Sequence, residues 1–254
     1  MKKLHLRPEN IHKGNLILVN KEYPIQEKQS SYDSTLVNLS NRNSEIMMDY
    51  VAAKELNRIF TSLECGNDIV PVSGYRSRQE QKQIYTESLQ ENGRQFTEKY
   101  VACPGHSEHQ TGLAIDLAEN SYNIDFIRPN FPKKGICLKF RNLAYNYGFI
   151  ERYPKNKTTI TGIAHEPWHF RYVGYPHSAL MVSLKQTLEE YTDFMKRHIY
   201  TEKPYIYEDG QGQYEIYFVP MEKNEVTIDL PKDIPYQVSG NNFDGFILTL
   251  KTAG

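Results

Sequence analysis

The sequence predicts an α+β fold: a small, mainly antiparallel sheet packed by helices, followed by a β-rich C-terminal extension. Three observations carry the prediction. Apolar residues at helical spacing mark two long segments, near 44–63 and 180–195. Short β-branched or aromatic runs at 69–73, 113–117, 149–151 and 168–173 read as strands. After about Tyr200 the pattern changes to alternating, Tyr-rich strands, which divides the chain into a main domain over 1–199 and a small extension over 200–254.

Taken in order, Leu16-Ile17-Leu18-Val19 reads as a short buried strand, and the polar stretch Glu22 to Asn43 as loop. Ser44 is the expected N-cap of a helix whose core face is Met48, Ala52, Leu56, Ile59, Phe60 and Leu63. Ile69 to Ser73 is a strand leading through Gly74 to Arg76, so Arg76 sits just past a strand's C-terminal end, where function often resides. A second helix is expected from Arg78 to Asn92, stopped by Gly93 and followed by a polar loop. The segment from Ala102 is turn-like at first and strand-like from Leu113, and Lys139 to Tyr147 is a helix ended by Gly148. Two strands then flank a polar loop before one long amphipathic helix from Leu180 to near His198. In the extension, Tyr205–Tyr207 and Tyr214–Phe218 form a hairpin about Asp209–Gly212, with further strands at Val226–Leu230 and Phe246–Leu250.

Composition narrows the function classes. Among 254 residues, 30 Lys+Arg against 31 Asp+Glu give a net charge of -1, which offers nucleic acid no global attraction. No apolar run approaches the ~20 residues that a membrane span needs. Leu4 to Asn15 carries His5, Arg7, Glu9, His12 and Lys13 where a secretory leader would be continuously apolar, so no leader is expected. Cys65, Cys103 and Cys137 are an odd number without a C-x-x-C pair, which fits separate thiols in a reducing compartment, the cytoplasm. Cys103 and Cys137 are taken as small hydrophobes.

One cluster of residues calls for chemistry. A catalytic zinc site takes three nitrogen or oxygen ligands and leaves a position open. His109 and Asp116, seven positions apart, would face opposite ways on an unbroken strand, but Gly112 can turn the chain between them. The third candidate is His169 in His165-Glu166-Pro167-Trp168-His169. Pro167 and the β-forming run after it oppose the helix that a pair of ligands at His165 and His169 would need. In an extended segment Glu166 and His169 share one side only if the chain bends or bulges at Pro167. The bland alternative is that Asp116, between Ile115 and Leu117, is buried in a salt bridge to Arg76. His106, His165, His177 and His198 are read as ordinary surface or hydrogen-bonded histidines, and Trp168 by default as core.

Ser107-x-His109-x-x-Gly112-x-Ala114-x-Asp116, followed by Glu166-x-Trp168-His169 and preceded by Ser73-Gly74-Tyr75-Arg76-Ser77, resembles the zinc D-alanyl-D-alanine carboxypeptidases of the VanY type. Within them it looks most like the VanXY proteins of glycopeptide-resistant enterococci, over about residues 45 to 185. The resemblance implies one Zn²⁺ per chain on His109, Asp116 and His169, at the open face of the sheet. It implies Glu166 as general base and Arg76, in preference to Arg78, facing the reacting carbonyl. Ser107 and Gln81 are implied as partners of the substrate's terminal carboxylate or backbone, and Trp168 as a wall of a pocket sized for D-alanine methyl groups. Gln81 read by itself is as well a solvated helix residue.

The implied activity is hydrolysis of the D-Ala-D-Ala bond in the free dipeptide and in the UDP-muramyl pentapeptide precursor, and the implied biology is glycopeptide resistance. Two rivals share the zinc core: a murein endopeptidase or L,D-type peptidase, and a non-catalytic zinc-containing binding module of the Hedgehog-like kind. Glu166 and Arg76 beside three ligands favour catalysis. For the extension, covering the active-site entrance, forming a homodimer and capping the core stay open.

Overall fold

A computed structural model describes residues 1–26, 36–39, 45–222 and 224–253, and divides them into two compact units. Unit 2 spans Val19–Thr187 and holds every residue of the implied site. Unit 1 joins Met1–Leu18 to Leu188–Gly254. The chain is mixed α+β with antiparallel strand pairing.

In order, the elements are β1 (Lys2–Leu6), β2 (Leu36–Asn38), β3 (Met47–Asp49), α1 (Tyr50–Leu63), β4 (Ile69–Ser73), α2 (Arg78–Tyr100), β5 (Ala114–Glu119), α3 (Gly135–Ala144), β6 (Phe149–Tyr153), α4 (Thr158–Thr161), β7 (Glu166–Tyr172), α5 (His177–Leu184), α6 (Leu188–Met195), β8 (Tyr205–Asp209), β9 (Gly212–Pro220), β10 (Val226–Leu230), β11 (Tyr236–Gly240) and β12 (Gly245–Ala253).

The sheet of unit 2 has the order β4-β5-β7-β6, with every neighbouring pair antiparallel. Alternation along its central strands sorts the side chains onto two faces. Ile115 stands opposite Phe170, and the Phe170 ring lies 5.0 Å from Phe140 of α3, so this face is packed by helix. Phe140 in turn meets Phe60 of α1 at 6.0 Å and Phe131 at 5.7 Å. One residue along, Asp116 stands opposite His169 on the other face, which is the face left for chemistry.

Unit 1 is built around β1 paired with β10 and a four-stranded antiparallel sheet, β11-β12-β9-β8. Leu6, Ile11, Val219, Ile228, Leu230, Phe246, Leu248 and Leu250 form its core. The β-rich extension therefore recruits the first residues of the chain, and β1 and β11 are strands that the sequence reading did not place.

Several expected boundaries move. Leu16 to Val19 is buried but has no strand ladder. The stretch read as loop contains β2, which pairs with β3. Helix α1 starts at Tyr50, because the Asp49 carboxylate accepts from Val51 N at 2.9 Å and Ala52 N at 3.2 Å and caps it there; Ser44 lies outside the described residues. Met48 is fully buried as expected, from a strand and not a helix. Gly93 leaves helical geometry, at φ 78°, yet a second helical run continues to Tyr100 where polar loop was expected. Helix α3 begins four residues early, at Gly135, and α4 occupies part of the loop before β7. The long helix from Leu180 is two, α5 and α6, since Lys185 at φ 54° ends the first. Cys103 is exposed and not a packed hydrophobe, whereas Cys65 and Cys137 are buried; none of the three is in a disulfide. Among the described residues no helix is long and apolar enough to cross a membrane.

Candidate metal centre and active-site cavity

The centre is assembled from two strands and one tight turn. His109 lies in a 3-10 turn over Glu108–Thr111, which Gly112 closes at φ 72°. A Cβ at Gly112 would sit 2.7 Å from Leu36 Cδ2 and 3.1 Å from Asp49 N, so both the backbone angle and the space require glycine. This is the turn that the spacing of His109 and Asp116 demanded. After it the chain enters β5 and delivers Asp116 beside His109: Oδ2 is 3.1 Å from His109 Nε2, and Oδ1 is 3.0 Å from His169 Nδ1. The three residues are buried, and one potential ligand atom from each lies within 4.8 Å of the others. The Arg76–Asp116 salt bridge is not the arrangement found; the close contacts of Asp116 are the two histidines.

The hydrogen bonds fix which nitrogen each imidazole presents. His109 Nδ1 donates to Gly74 O at 2.7 Å, leaving Nε2 toward Asp116. Gly74 is held close by its surroundings, since a Cβ there would meet Met47 O at 2.3 Å. His169 is reversed: Nε2 lies 3.4 Å from Glu108 Oε2, and Nδ1 is the inward atom. The Tyr153 ring packs on His169 at 4.9 Å and the His109 ring meets it edge-on, also at 4.9 Å.

Glu166 reaches the same place through the predicted irregularity at Pro167. Glu151 pairs with Phe170 but Tyr153 pairs with Glu166, so Pro167, Trp168 and His169 stand opposite the single residue Arg152. That bulge brings Glu166 Oε2 to 3.8 Å from His169 Nδ1. Burial is the main cause that pushes the Glu166 carboxyl up to about 8; Asp116 and Glu108 add to the shift, and His169 and Arg76 oppose it. Burial pulls His109 down to about 4, helped by Arg76 and resisted by Asp116. Burial also disfavours a charged His169, but the carboxylates of Asp116 and Glu108 beside it outweigh that and hold His169 up at about 9.

Arg76 follows β4 and precedes α2, whose start is fixed by a capping box: Ser77 Oγ accepts from Glu80 N at 3.2 Å, and Glu80 Oε2 accepts from Ser77 N at 2.7 Å. Arg76 is partly buried, its Nε is buried without a hydrogen-bond partner, and burial lowers its pKa against the pull of Asp116 and Glu166.

A cavity of about 360 Å³ opens above these groups, and Arg76, Gln81, Ser107, His109, Asp116, Glu166, Trp168 and His169 all line it, whereas Arg78 does not. Gln81 is 1% exposed and so is no solvated helix residue. Its Nε2 donates to Ala102 O at 2.7 Å, and its Oε1 is buried without a partner.

Glu108 was not singled out from the sequence, although it touches His169 from the depth of the unit. A signal for it was present: Arg152 and Arg171 fall among aromatic residues in strand-forming runs, where a buried guanidinium needs a carboxylate.

The donor set fits a zinc ion: two imidazole nitrogens with their outer nitrogens engaged, one carboxylate, and Asp116 Oδ1 buried with no hydrogen-bond donor of its own.

Residues 45–175 match the family model described as VanY: D-alanyl-D-alanine carboxypeptidase. The chain is 40% identical over 187 residues to the bifunctional D-Ala-D-Ala dipeptidase and D-Ala-D-Ala carboxypeptidase VanXYC of Enterococcus gallinarum, covering 73% of this chain and 97% of that protein. The solved structure of the vancomycin resistance D,D-dipeptidase VanXYg in complex with a D-Ala-D-Ala phosphinate analog aligns with a TM-score of 0.94 at 50% identity, covering 98% of both chains. A mutant of the vancomycin resistance D,D-pentapeptidase VanY from the VanB-type cassette, in complex with Zn(II), aligns with a TM-score of 0.56 at 32% identity, over 70% of this chain and 98% of that one.

Proposed function

The chain belongs to the VanY family of D-alanyl-D-alanine carboxypeptidases, and on that footing we propose how its own residues perform the reaction. It is a zinc D-Ala-D-Ala dipeptidase and carboxypeptidase of the VanXY type, an activity associated with vancomycin resistance. The observation that carries the reading is the convergence of His109 Nε2, an Asp116 oxygen and His169 Nδ1 at one point in the cavity, with Glu166 beside them.

Those three residues hold the zinc. When bound, zinc supplies a Lewis acid and a water acidified to a pKa of about 7. Glu166 accepts the proton of the attacking water and hands it to the nitrogen of the leaving D-alanine. A carboxyl held beside the reacting groups, 3.8 Å from His169, can take and return a proton in one turnover. Arg76 donates from its guanidinium to the oxygen that becomes negative as the carbonyl is attacked, and its unpartnered Nε is a donor held ready for that charge. Gln81 Nε2 gives one N–H to Ala102 O, and its unpartnered Oε1 accepts an N–H of the substrate. Ser107, buried at the cavity wall, bonds the substrate's terminal carboxylate or backbone, and the Trp168 ring bounds the space for the D-alanine methyl groups.

The substrates are the free D-Ala-D-Ala dipeptide and the UDP-muramyl pentapeptide, met in the cytoplasm; an exposed free thiol at Cys103 fits a reducing compartment. The test is release of D-alanine from each substrate by the native and the chelated protein. Cleavage of both, lost on chelation and regained with zinc, is expected. Cleavage of assembled murein with neither soluble substrate turned over would contradict the assignment.

A further inference from the structure

The most deeply buried charges in unit 2 take no part in the mechanism above. The side chains of Glu108, Arg152 and Arg171 are all 0% exposed. Glu108 Oε1 accepts from Arg152 Nε at 2.8 Å and from Arg171 Nη1 at 2.7 Å, while Oε2 is turned to His169 Nε2 at 3.4 Å. Arg152 of β6 stands opposite the bulge that carries Pro167 to His169, and Arg171 of β7 lies just beyond it.

We propose that Glu108 is a positioning residue: clamped by Arg152 and Arg171, it orients the His169 imidazole so that Nδ1 is the atom given to the metal. This inference rests on the zinc reading and goes beyond it, because it assigns a task to three residues outside the ligand set.

The geometry supports the division of labour. A buried ion pair that served packing alone would have no need to divide its carboxylate between the arginines and an imidazole. Here one oxygen accepts from both guanidinium groups, and the other is left to accept from Nε2. Rotating the His169 ring by a half-turn about its Cβ–Cγ bond would exchange Nδ1 for a carbon facing Asp116 and Nε2 for a carbon facing Glu108. An acceptor fixed at Glu108 Oε2 therefore selects the ring orientation, and with it the tautomer protonated on Nε2. Tyr153 extends the link, since Arg152 lies over its ring at 5.0 Å and the same ring packs on His169.

The experiment compares zinc affinity, by competition with a chelator, in the full-length wild type and in Glu108→Gln, together with the thermal unfolding of both metal-free proteins. Loss of the orienting carboxylate should weaken zinc binding by about 10- to 100-fold. A folded Glu108→Gln whose affinity equals that of the wild type within a factor of about three overturns the inference, whatever it does to stability.

If loss of the buried carboxylate beside Arg152 and Arg171 prevents that variant from folding, the decision passes to the ¹¹³Cd-substituted, ¹⁵N-labelled wild type. Cadmium–nitrogen coupling at Nδ1 of His169 and Nε2 of His109, with a His169 Nε2 proton protected from exchange, supports the proposal. Coupling at His169 Nε2, or a rapidly exchanging proton there, overturns it. A wild type that takes up neither zinc nor cadmium overturns the functional reading as well, whereas wild-type binding with an indifferent variant overturns this inference alone.

Discussion

Asp116 of β5 and His169 of β7 are direct cross-strand partners, with Oδ1 and Nδ1 3.0 Å apart. The candidate metal centre is thus a property of strand register: slipping either strand by one residue would send its candidate ligand to the helix-packed face, where Ile115 and Phe170 now lie. Only His109 comes from outside the sheet, by way of the turn at Gly112.

Replacing Glu166 with Gln keeps the shape of the side chain and removes its capacity to accept a proton. The expected outcome is one zinc per chain and a loss of D-Ala-D-Ala hydrolysis by about 10²-fold or more. Metal content and initial rates on the same sample check it, and a rate that survives within about tenfold contradicts the assignment of Glu166.

Arg76→Ala removes a buried donor from the cavity without touching a ligand. Turnover should fall about 10²- to 10³-fold, with the loss mainly in kcat, because the oxygen it serves is charged only in the transition state. A variant with unchanged kcat and a raised KM would instead make Arg76 a ground-state binding residue.

Gly112→Ala combines a left-handed backbone angle with a Cβ 2.7 Å from Leu36 Cδ2. The backbone strain by itself costs about 1–2 kcal/mol. The metal-free protein should melt several degrees lower, by about 2–4 °C for each kcal/mol. An unchanged melting curve would show that the turn does not need glycine.

His177 at the start of α5 is 3% exposed, and burial draws its pKa down to about 3 from 6.5. Its folded value lies below the unfolded one, so between those two pH values the unfolded chain binds the extra proton. This residue therefore costs nothing above pH 6.5 and removes about 1.4 kcal/mol of stability for each unit that the pH falls below it. His177→Gln lacks that dependence: the stability difference between the two metal-free proteins should change by about 2 kcal/mol between about pH 6.5 and about pH 5. Denaturant titrations at the two pH values check it, and a constant difference contradicts it.

Much of the site was legible because its residues sit in short motifs with a chemical rationale. His109, Gly112 and Asp116 declare a turn between two candidate ligands, and Pro167 declares the bulge that lets Glu166 and His169 face one way. What was missed depends on contacts between distant segments. Met48 keeps its buried place in the periodicity, but Asp49 captures Val51 N and Ala52 N and starts the helix later. The break at Lys185 is invisible to periodicity, since the apolar spacing runs on through it. Strand β1 escaped notice because its partner, β10, lies more than two hundred residues away. Glu108 was overlooked for the same reason: its purpose is readable only once Arg152, Arg171 and His169 are seen around it.

The most direct test of the whole account is to titrate zinc into the chelator-stripped protein while following D-alanine release from D-Ala-D-Ala. Activity should be absent at the start, rise in proportion to added metal and level off at one zinc per chain, and His169→Ala should show no such rise. Turnover by the metal-free protein, or a rise in His169→Ala that matches the wild type, would contradict a reaction run on zinc held by His109, Asp116 and His169.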